Sequence, residues 1–355
     1  MGRQSKTLLK AALAAVHYSG AETLFAPLTQ GAGVIFMLHQ VTPEAPEEFE
    51  PNRILKVTPD FLDEVVRTMR EADFELIALD DLPRRLTEER DRPFACFTLD
   101  DGYRDNRDHA YPVFKRYDAP FTVYAASELS DGRGDLWWLT LERVLRAAPH
   151  ITLAMHGEGH HFPLGTVEEK DAAFDEIYWW LRSIADEDLA RAAVAELADA
   201  QGVDTSDLCS QLVMSWDEIR DFAEDPLVTI GAHTCSHRAL AKLPESQARA
   251  EMAQSVARVE KELGRPCRHL SYPYGSACSA GPREFRIARE LGLETAVTTQ
   301  KGLIHKEHLE VLTALPRVSL NGDFQDIRYV KALVSGVPFA MLNAYRRIAG
   351  QEISV

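Results

Sequence analysis

Four places in this sequence carry residues able to bind a cation or move a proton, and each closes a run of apolar residues. His39 follows Gly33 to Leu38 (GVIFML), and Asp100 and Asp101 follow Ala95 to Leu99 (ACFTL). His233 ends Leu227 to Ala232 (LVTIGA), with His237 just beyond, and Tyr274 follows Pro273 after His269 to Tyr272. In a parallel β/α barrel, the loops leaving the C-terminal ends of the strands carry the chemistry. One such ending would mean little, but four on one barrel face are hard to attribute to packing.

Adjacent carboxylates at a strand end point in different directions because side chains alternate. One of Asp100 and Asp101 can therefore bind a cation while the other stands free as a base, and Gly102 lets the backbone turn sharply after them. The competing reading is an ordinary Asp-Asp-Gly turn; Asp80-Asp81 follows another candidate strand without chemical meaning. His233 and His237 are spaced i, i+4. If the chain enters a helical turn there, both imidazoles face one side, a spacing that zinc hydrolases use, and Cys235 points away. The alternative is a pair of surface or core histidines. Two histidines and one carboxylate would leave positions open for water and substrate.

The elements that must position these groups alternate between apolar runs and helical patterns. Candidate strands are Gly33 to His39, Leu76 to Leu79, Ala95 to Asp101, Pro120 to Ala126, Leu227 to Thr234, His269 to Gly275, Thr295 to Thr299 and Leu315 to Leu320. Thr58 and Pro59 would open one helix as N-cap and first turn. Ser215 and Glu218 would open another as a capping box, and Pro244 to Leu263 reads as a long amphipathic helix. Uninterrupted apolar strands followed by helices indicate a parallel sheet buried on both faces. The fold class expected is α/β: a closed or nearly closed (β/α)7-8 barrel over 33–334. No glycine-rich phosphate loop follows any strand. Residues 150–207, acidic and largely helical in pattern, read as an insertion packed beside the barrel. Residues 1–32 read as a helical extension, and 335–355 as a closing helix and tail.

The chain has 355 residues, 45 % hydrophobic and 26 % charged, with a net charge of −16. That is the composition of a soluble globular protein. An acidic surface repels phosphate backbones and anionic lipid, which disfavours both nucleic acid and membrane-surface binding. The five cysteines form no CxxC pair, which argues against a disulfide framework and leans toward a reducing, cytoplasmic compartment. Thr7 to Val16 resembles a short signal core but is interrupted by Lys10; it reads as an amphipathic helix, with a signal peptide as the alternative. It is too short to span a bilayer, which takes about 20 residues, so no integral membrane segment is expected.

TLDDG (Thr98 to Gly102), HTCSH (His233 to His237) and SYPYG (Ser271 to Gly275) resemble, in order and rough spacing, the first three motifs of the polysaccharide deacetylase family. This is the NodB-homology group, carbohydrate esterase family four. The resemblance runs from about Gly33 to Leu320. It implies a distorted barrel of about seven strands and one divalent metal ion, usually zinc, with cobalt, nickel or iron as alternatives. It also implies that Asp101, His233 and His237 are ligands, that Asp100 is the general base, and that the backbone N–H of Tyr274 helps hold an oxyanion beside Pro273.

Two departures stand out. The arginine usual two residues before the motif-three proline is replaced by Ser271, and Arg317 at the end of the last strand is the candidate substitute, with a surface salt bridge or helix cap as its alternative. The late leucine-x-histidine motif that supplies a general acid is missing; His305 and His308 fall in a loop. Met37-Leu38-His39 matches it at the front of the chain, so His39 is assigned as the acid. Barrel closure makes first and last strands neighbours, and an imidazole titrates in a suitable range. Among the aromatics, Tyr103, Trp137 and Trp138 are candidates to stack on a sugar ring at the rim. The function expected is N-deacetylation of a GlcNAc-containing saccharide. Hydrolysis of another small C–N bond on the same fold, and a non-catalytic carbohydrate-binding relative, are the alternatives.

Overall fold

The computed structural model describes residues 3–88 and 92–348; the ends of the two terminal segments expected at 1–32 and 335–355 lie outside the described residues. Seven strands form the barrel: β1 (Gly33–Leu38), β2 (Phe94–Leu99), β3 (Phe121–Ala125), β4 (Val228–Ala232), β5 (His269–Ser271), β6 (Thr295–Lys301) and β7 (Leu315–Ser319). All pair in parallel, in the ring order β1-β7-β6-β5-β4-β3-β2, and β2 pairs back onto β1. The ring is closed, as the apolar, unalternating strands predicted.

The eighth candidate is not a stave. Only Glu75–Leu76 is extended there, and it pairs with the start of β2 on the edge away from β1. Leu79–Asp81 is already a helical turn, too soon for a full strand.

Strand periodicity decides which side chains face the barrel interior. Val34, Phe36 and Leu38 of β1 pack outward with Ala95, Phe97 and Leu99 of β2, in the layer beneath the helices. Ile35, Cys96, Tyr124, Val297 and Leu315 fill the interior. The same alternation carries Thr98 and Asp100 inward beyond Cys96, and Arg317 inward beyond Leu315. Buried Arg317 is thus placed by the pleat of its strand, as Leu315 is.

Around the ring lie α1 (Arg3–Tyr18), α2 (Ala21–Thr29) and α3 (Pro59–Glu71). Thr58 caps α3 by accepting the Phe61 N–H, with Pro59 in its first turn. Between β3 and β4 the chain makes a long excursion containing α4 (Trp137–Ala147), α5 (Val167–Ser183), α6 (Glu187–Ala200) and α7 (Trp216–Phe222). The Ser215/Glu218 capping box opens α7. The excursion has a hydrophobic core of its own, with Trp137, Trp138, Leu141, Phe174, Ile177 and Leu197. Residues 150–207 are not uniformly helical: His150–Met155 and Glu158–Pro163 form an antiparallel hairpin. Its two-residue turn, His156-Gly157, has φ of 55° and 87°, the sense of turn that matches strand twist. The polar HGEGHH run hid this strand pair.

Then come α8 (Glu245–Leu263), α9 (Pro282–Glu290), α10 (Ile327–Val334) and α11 (Val337–Ile348). The N-terminal helix docks on this closing segment: Lys6 pairs at 2.7 Å with Asp323, a carboxylate also held by Arg53 at 2.9 Å. Among the described residues no helix is long and apolar enough to cross a membrane.

Candidate active site

The backbone at the C-terminal mouth of the barrel is unusual before any side chain is considered. Seven non-glycine residues among those described have positive φ, and four of them are Asp101 (71°), Thr234 (61°), His237 (54°) and Tyr274 (60°). L side chains seldom adopt that region, and such residues cluster at functional sites. Here they sit in the three motifs singled out from the sequence.

After β2, the Asp100 N–H still donates to the Leu38 carbonyl at 2.9 Å. Asp101 and Gly102, both left-handed, then reverse the chain. A Cβ at Gly102 would meet only ordinary contacts, so its φ of 69°, not crowding, calls for glycine. Asp100 continues the inward face of β2, and Asp101 turns toward the loop after β4.

That loop is not the helical turn expected from the i, i+4 spacing. Residues 233–239 are irregular, and the left-handed Thr234 and His237 bring the two rings together, 4.9 Å between centroids. Thr234 Oγ1 accepts the His237 N–H at 3.1 Å. Glu251 on α8 accepts the N–H groups of Cys235 (2.9 Å) and Ser236 (3.0 Å) and the Ser236 hydroxyl (2.7 Å). From the other side, Arg191 on α6 donates to the carbonyls of Ser236 and His237 at 2.8 and 3.2 Å. Cys235 lies toward α8, with its sulfur near the Glu251 carbonyl.

Asp101, His233 and His237 are buried, and one donor atom from each lies within 4.8 Å of the others. The His233 and His237 Nε2 atoms stand 3.3 and 3.2 Å from Asp101 Oδ1. His233 Nδ1 is 2.7 Å from the Ser271 carbonyl; it donates there, which leaves Nε2 with its lone pair toward Asp101. The Asp101 Oδ1 atom is buried with no hydrogen-bond partner. Lone pairs facing one another in a dry place are relieved by a shared proton or by a cation, and these three residues could hold one. At zinc bond lengths of about 2.0–2.1 Å, a tetrahedral edge is about 3.3–3.4 Å, so the observed separations fit one ion. Burial alone would raise the Asp101 carboxyl, but when the two imidazoles are protonated their charge and N–H groups prevail and hold it well below the usual carboxylate range, and a bound cation would act in the same sense.

Asp100 has a different partner. Arg317 donates Nη1–H to its Oδ1 at 2.8 Å and Nη2–H to its Oδ2 at 2.7 Å. The same guanidinium donates to Thr98 Oγ1 (3.0 Å), the Thr298 carbonyl (2.8 Å) and Ser271 Oγ (3.1 Å). Every donor direction of the fork is used, and the residue is 1 % exposed. Burial pushes the Asp100 carboxyl up, but the Arg317 charge and hydrogen bonds outweigh it and keep the group ionised. The arginine absent at Ser271 on β5 has a counterpart on β7 that reaches a carboxylate and touches Ser271 itself. His39, leaving β1, puts Nε2 4.0 Å from Asp100 Oδ2, and Asn106 holds the His39 carbonyl at 2.7 Å. His305 and His308 lie elsewhere: His305 is beside Gly31, at the opposite end of β1.

The aromatic expectations need correction. Tyr103 is fully buried and Trp138 nearly so, so neither is an open platform at the rim. Trp138 packs its ring 5.1 Å from that of His237, forming a wall behind the cluster. Trp137 donates its indole N–H to the Tyr274 hydroxyl at 2.9 Å. The Tyr274 ring lies 4.9 Å from His237 on one side and carries the Arg182 guanidinium 3.5 Å from its centroid. Pro273 is buried behind it. Arg182, Arg191 and Glu251 were not foreseen. They sit in helical patterns where any charged residue reads as solvent-facing, and their partners are loop atoms far away in the chain.

No curated protein matches this chain by sequence. Residues 195–296 match the family model described as polysaccharide deacetylase; the match includes both histidines and SYPYG, while the aspartate pair lies before it. Among solved structures, the chain is similar to the Streptococcus pyogenes deacetylase PplD in complex with acetate: 17 % identity, TM-score 0.56, covering 85 % of this chain and 97 % of that one. It is also similar to IcaB from Ammonifex degensii (17 %, TM-score 0.54, 86 % and 98 %). A third likeness is to a de-N-acetylase from Aggregatibacter actinomycetemcomitans (12 %, TM-score 0.52, 84 % and 99 %). The closed seven-strand barrel is that of the polysaccharide deacetylases, and residues 195–296 carry that family's sequence pattern.

Proposed function

We propose that this protein is a metal-dependent carbohydrate N-deacetylase that removes acetyl groups from a GlcNAc-containing saccharide. One observation carries the reading: an ionised, arginine-clamped carboxylate stands beside a buried Asp-His-His cluster, with a third histidine facing it. Amide hydrolysis needs a base for water, an acid for the departing amine and positive character at the carbonyl oxygen.

Asp101, His233 and His237 would hold the cation, zinc by their nitrogen-rich donor set. When bound, it would supply Lewis-acid polarisation and acidify water in the pocket. Asp100 is the base: it takes the proton of the attacking water, and Arg317 fixes both carboxylate oxygens so that the acceptor does not rotate. His39, 4.0 Å from Asp100 Oδ2, protonates the amine nitrogen as the C–N bond breaks. The backbone N–H of Tyr274 is assigned to the developing oxyanion. Its left-handed φ sets the angle between that N–H and the next peptide, whose carbonyl accepts from Thr299 Oγ1 at 2.7 Å. Cytoplasmic placement is part of this proposal, resting on unpaired cysteines.

A second reading, a short or single N-acetylated sugar in place of a polymer, is favoured by the wall of the site. The tryptophans that would line an open groove, Trp137 and Trp138, are buried against Tyr274 and His237. The test is acetate release from a GlcNAc oligomer series with zinc added. Asp100→Asn should retain one metal ion per chain while turnover falls by about 10²–10⁴-fold. Full turnover in that variant rules out the base assignment, and glycan binding without acetate release at saturating zinc points to a non-catalytic relative. A rate that falls with chain length selects the short substrate.

A further inference from the structure

We propose that α2 and α11, with α1 beside them, form a face that docks on an anionic lipid surface. Thirteen large apolar side chains stand exposed among the described residues, and eight belong to these three helices. The rest are scattered, which is ordinary for a globular surface.

The clearest case is α2, AETLFAPLT, a mostly apolar helix in which no residue is buried. Leu24, Phe25 and Leu28 recur at i, i+1, i+4, and Met341, Leu342 and Tyr345 repeat that spacing on α11. These six side chains are between 44 % and 82 % exposed. Positions spaced so share one helix face. The two helices are joined where they meet. Thr29 Oγ1 at the end of α2 donates to the Ser335 carbonyl at 2.5 Å, and Gly336 lies so close to the Thr29 carbonyl that a Cβ would stand 1.9 Å from it. An apolar helix with no fully buried residue lacks most of the burial that usually stabilises amphipathic helices.

Charge selects the occupant. Among the described side chains these helices carry Lys10, Arg346 and Arg347, besides Lys6, which is already paired with Asp323 at 2.7 Å, and their one acid is Glu22. Glu22 is itself held by His17 at 2.9 Å. The whole chain runs the other way, with 55 acidic residues to 39 basic. A second copy of the chain seated on this face by twofold symmetry would bring Arg346 and Arg347 toward the same arginines. An anionic headgroup layer would pair with them while the apolar triplets enter the acyl boundary, the pattern of an interfacial helix. Tyr345 is of the type that settles at headgroup depth, and Phe25 of the type found on the apolar face of interfacial helices. The end of α2 feeds the N-terminal end of β1, opposite the Asp100 and His39 end, so docking there leaves the barrel mouth uncovered.

The proposal does not rest on the deacetylase reading, and vesicle binding tests it on the full chain. Protein is pelleted with vesicles of phosphatidylcholine alone and of phosphatidylcholine mixed with phosphatidylglycerol. The expected result is at least about tenfold stronger binding to the anionic vesicles, reversed by salt. Leu24→Ser with Leu28→Ser, and separately Arg346→Glu with Arg347→Glu, should each weaken that binding about tenfold, with zinc stoichiometry and acetate release from a soluble substrate unchanged. Equal or absent binding to the two vesicle types overturns the proposal. So does a stable dimer in sedimentation that the Leu24→Ser, Leu28→Ser variant dissociates, which would make a second copy the occupant.

Discussion

Replacing Arg317 with methionine tests the site where it is most specific. The substitution keeps the volume of the stem and removes a buried guanidinium that makes five hydrogen bonds, two of them to Asp100. Breaking a buried pair by removing one partner costs about 3–5 kcal/mol, because the other charge stays behind unpaired. Thr98 Oγ1, Ser271 Oγ and the Thr298 carbonyl also lose their donor, so the upper end of that range is expected. The measurement is urea unfolding of metal-free protein in chelator, for Arg317→Met, Asp100→Asn and the double variant. Asp100→Asn with Arg317→Met should be more stable than Arg317→Met alone, since no carboxylate remains to be buried; coupling of about 1–3 kcal/mol is expected for contacting residues. The pH dependence has a definite sign. With arginine present the Asp100 carboxyl lies below its ordinary value, so the pair's contribution is full at neutral pH and is lost as pH falls through the carboxylate range. Without it, burial raises the carboxyl, so the penalty also shrinks as pH falls. The gap between the two proteins must therefore narrow in acid. A loss below about 1 kcal/mol at pH 7, or a gap that widens in acid, would refute the claim that Arg317 holds Asp100 ionised.

Other outcomes can be checked alongside. His39→Gln should lower acetate release by about 10²–10⁴-fold with metal content intact. Dialysis against a chelator should abolish turnover, and zinc or cobalt should restore it. The melting temperature should rise with added zinc in wild type but not in His237→Ala, as expected for a ligand that binds only the folded state. Glu218→Gln should lower the melting temperature at pH 7. Glu218 is held at about 2 chiefly by its hydrogen bond from Arg104, so its contribution is complete above about 4.5 and declines as pH falls toward 2. The difference between variant and wild type should vanish in that window.

The strands and the polar groups that end them were readable because a doubly buried parallel strand announces itself as an apolar run. Arg317 could be suspected only from the family resemblance, as a substitute for the arginine missing at Ser271; the two-residue pleat of its strand explains why it faces inward. The path of the chain between the histidines was not readable. An i, i+4 spacing suits a helical turn, and nothing local to Thr234 signals that it takes positive φ instead. The aromatics misled for a related reason: whether Tyr103 and Trp138 stand on a rim or behind a ligand depends on where the long excursion folds back. The hairpin at 150–163 has too little alternation in its second strand to be seen. Net charge was read correctly as an average, yet it concealed a basic, apolar face, because averages carry no position.

The four left-handed residues at the barrel mouth have an engineering consequence. Positive-φ positions are where a change to glycine ordinarily relieves strain and raises stability. Here that route is closed at Asp101 and His237, whose side chains are the proposed donors, and at Tyr274, whose ring packs on a donor. At Thr234 it would remove the hydroxyl that fixes the His237 backbone. Consensus or thermostabilising design on this scaffold must therefore find its gains in the helices and the excursion, leaving the mouth as the least relaxed part of the protein.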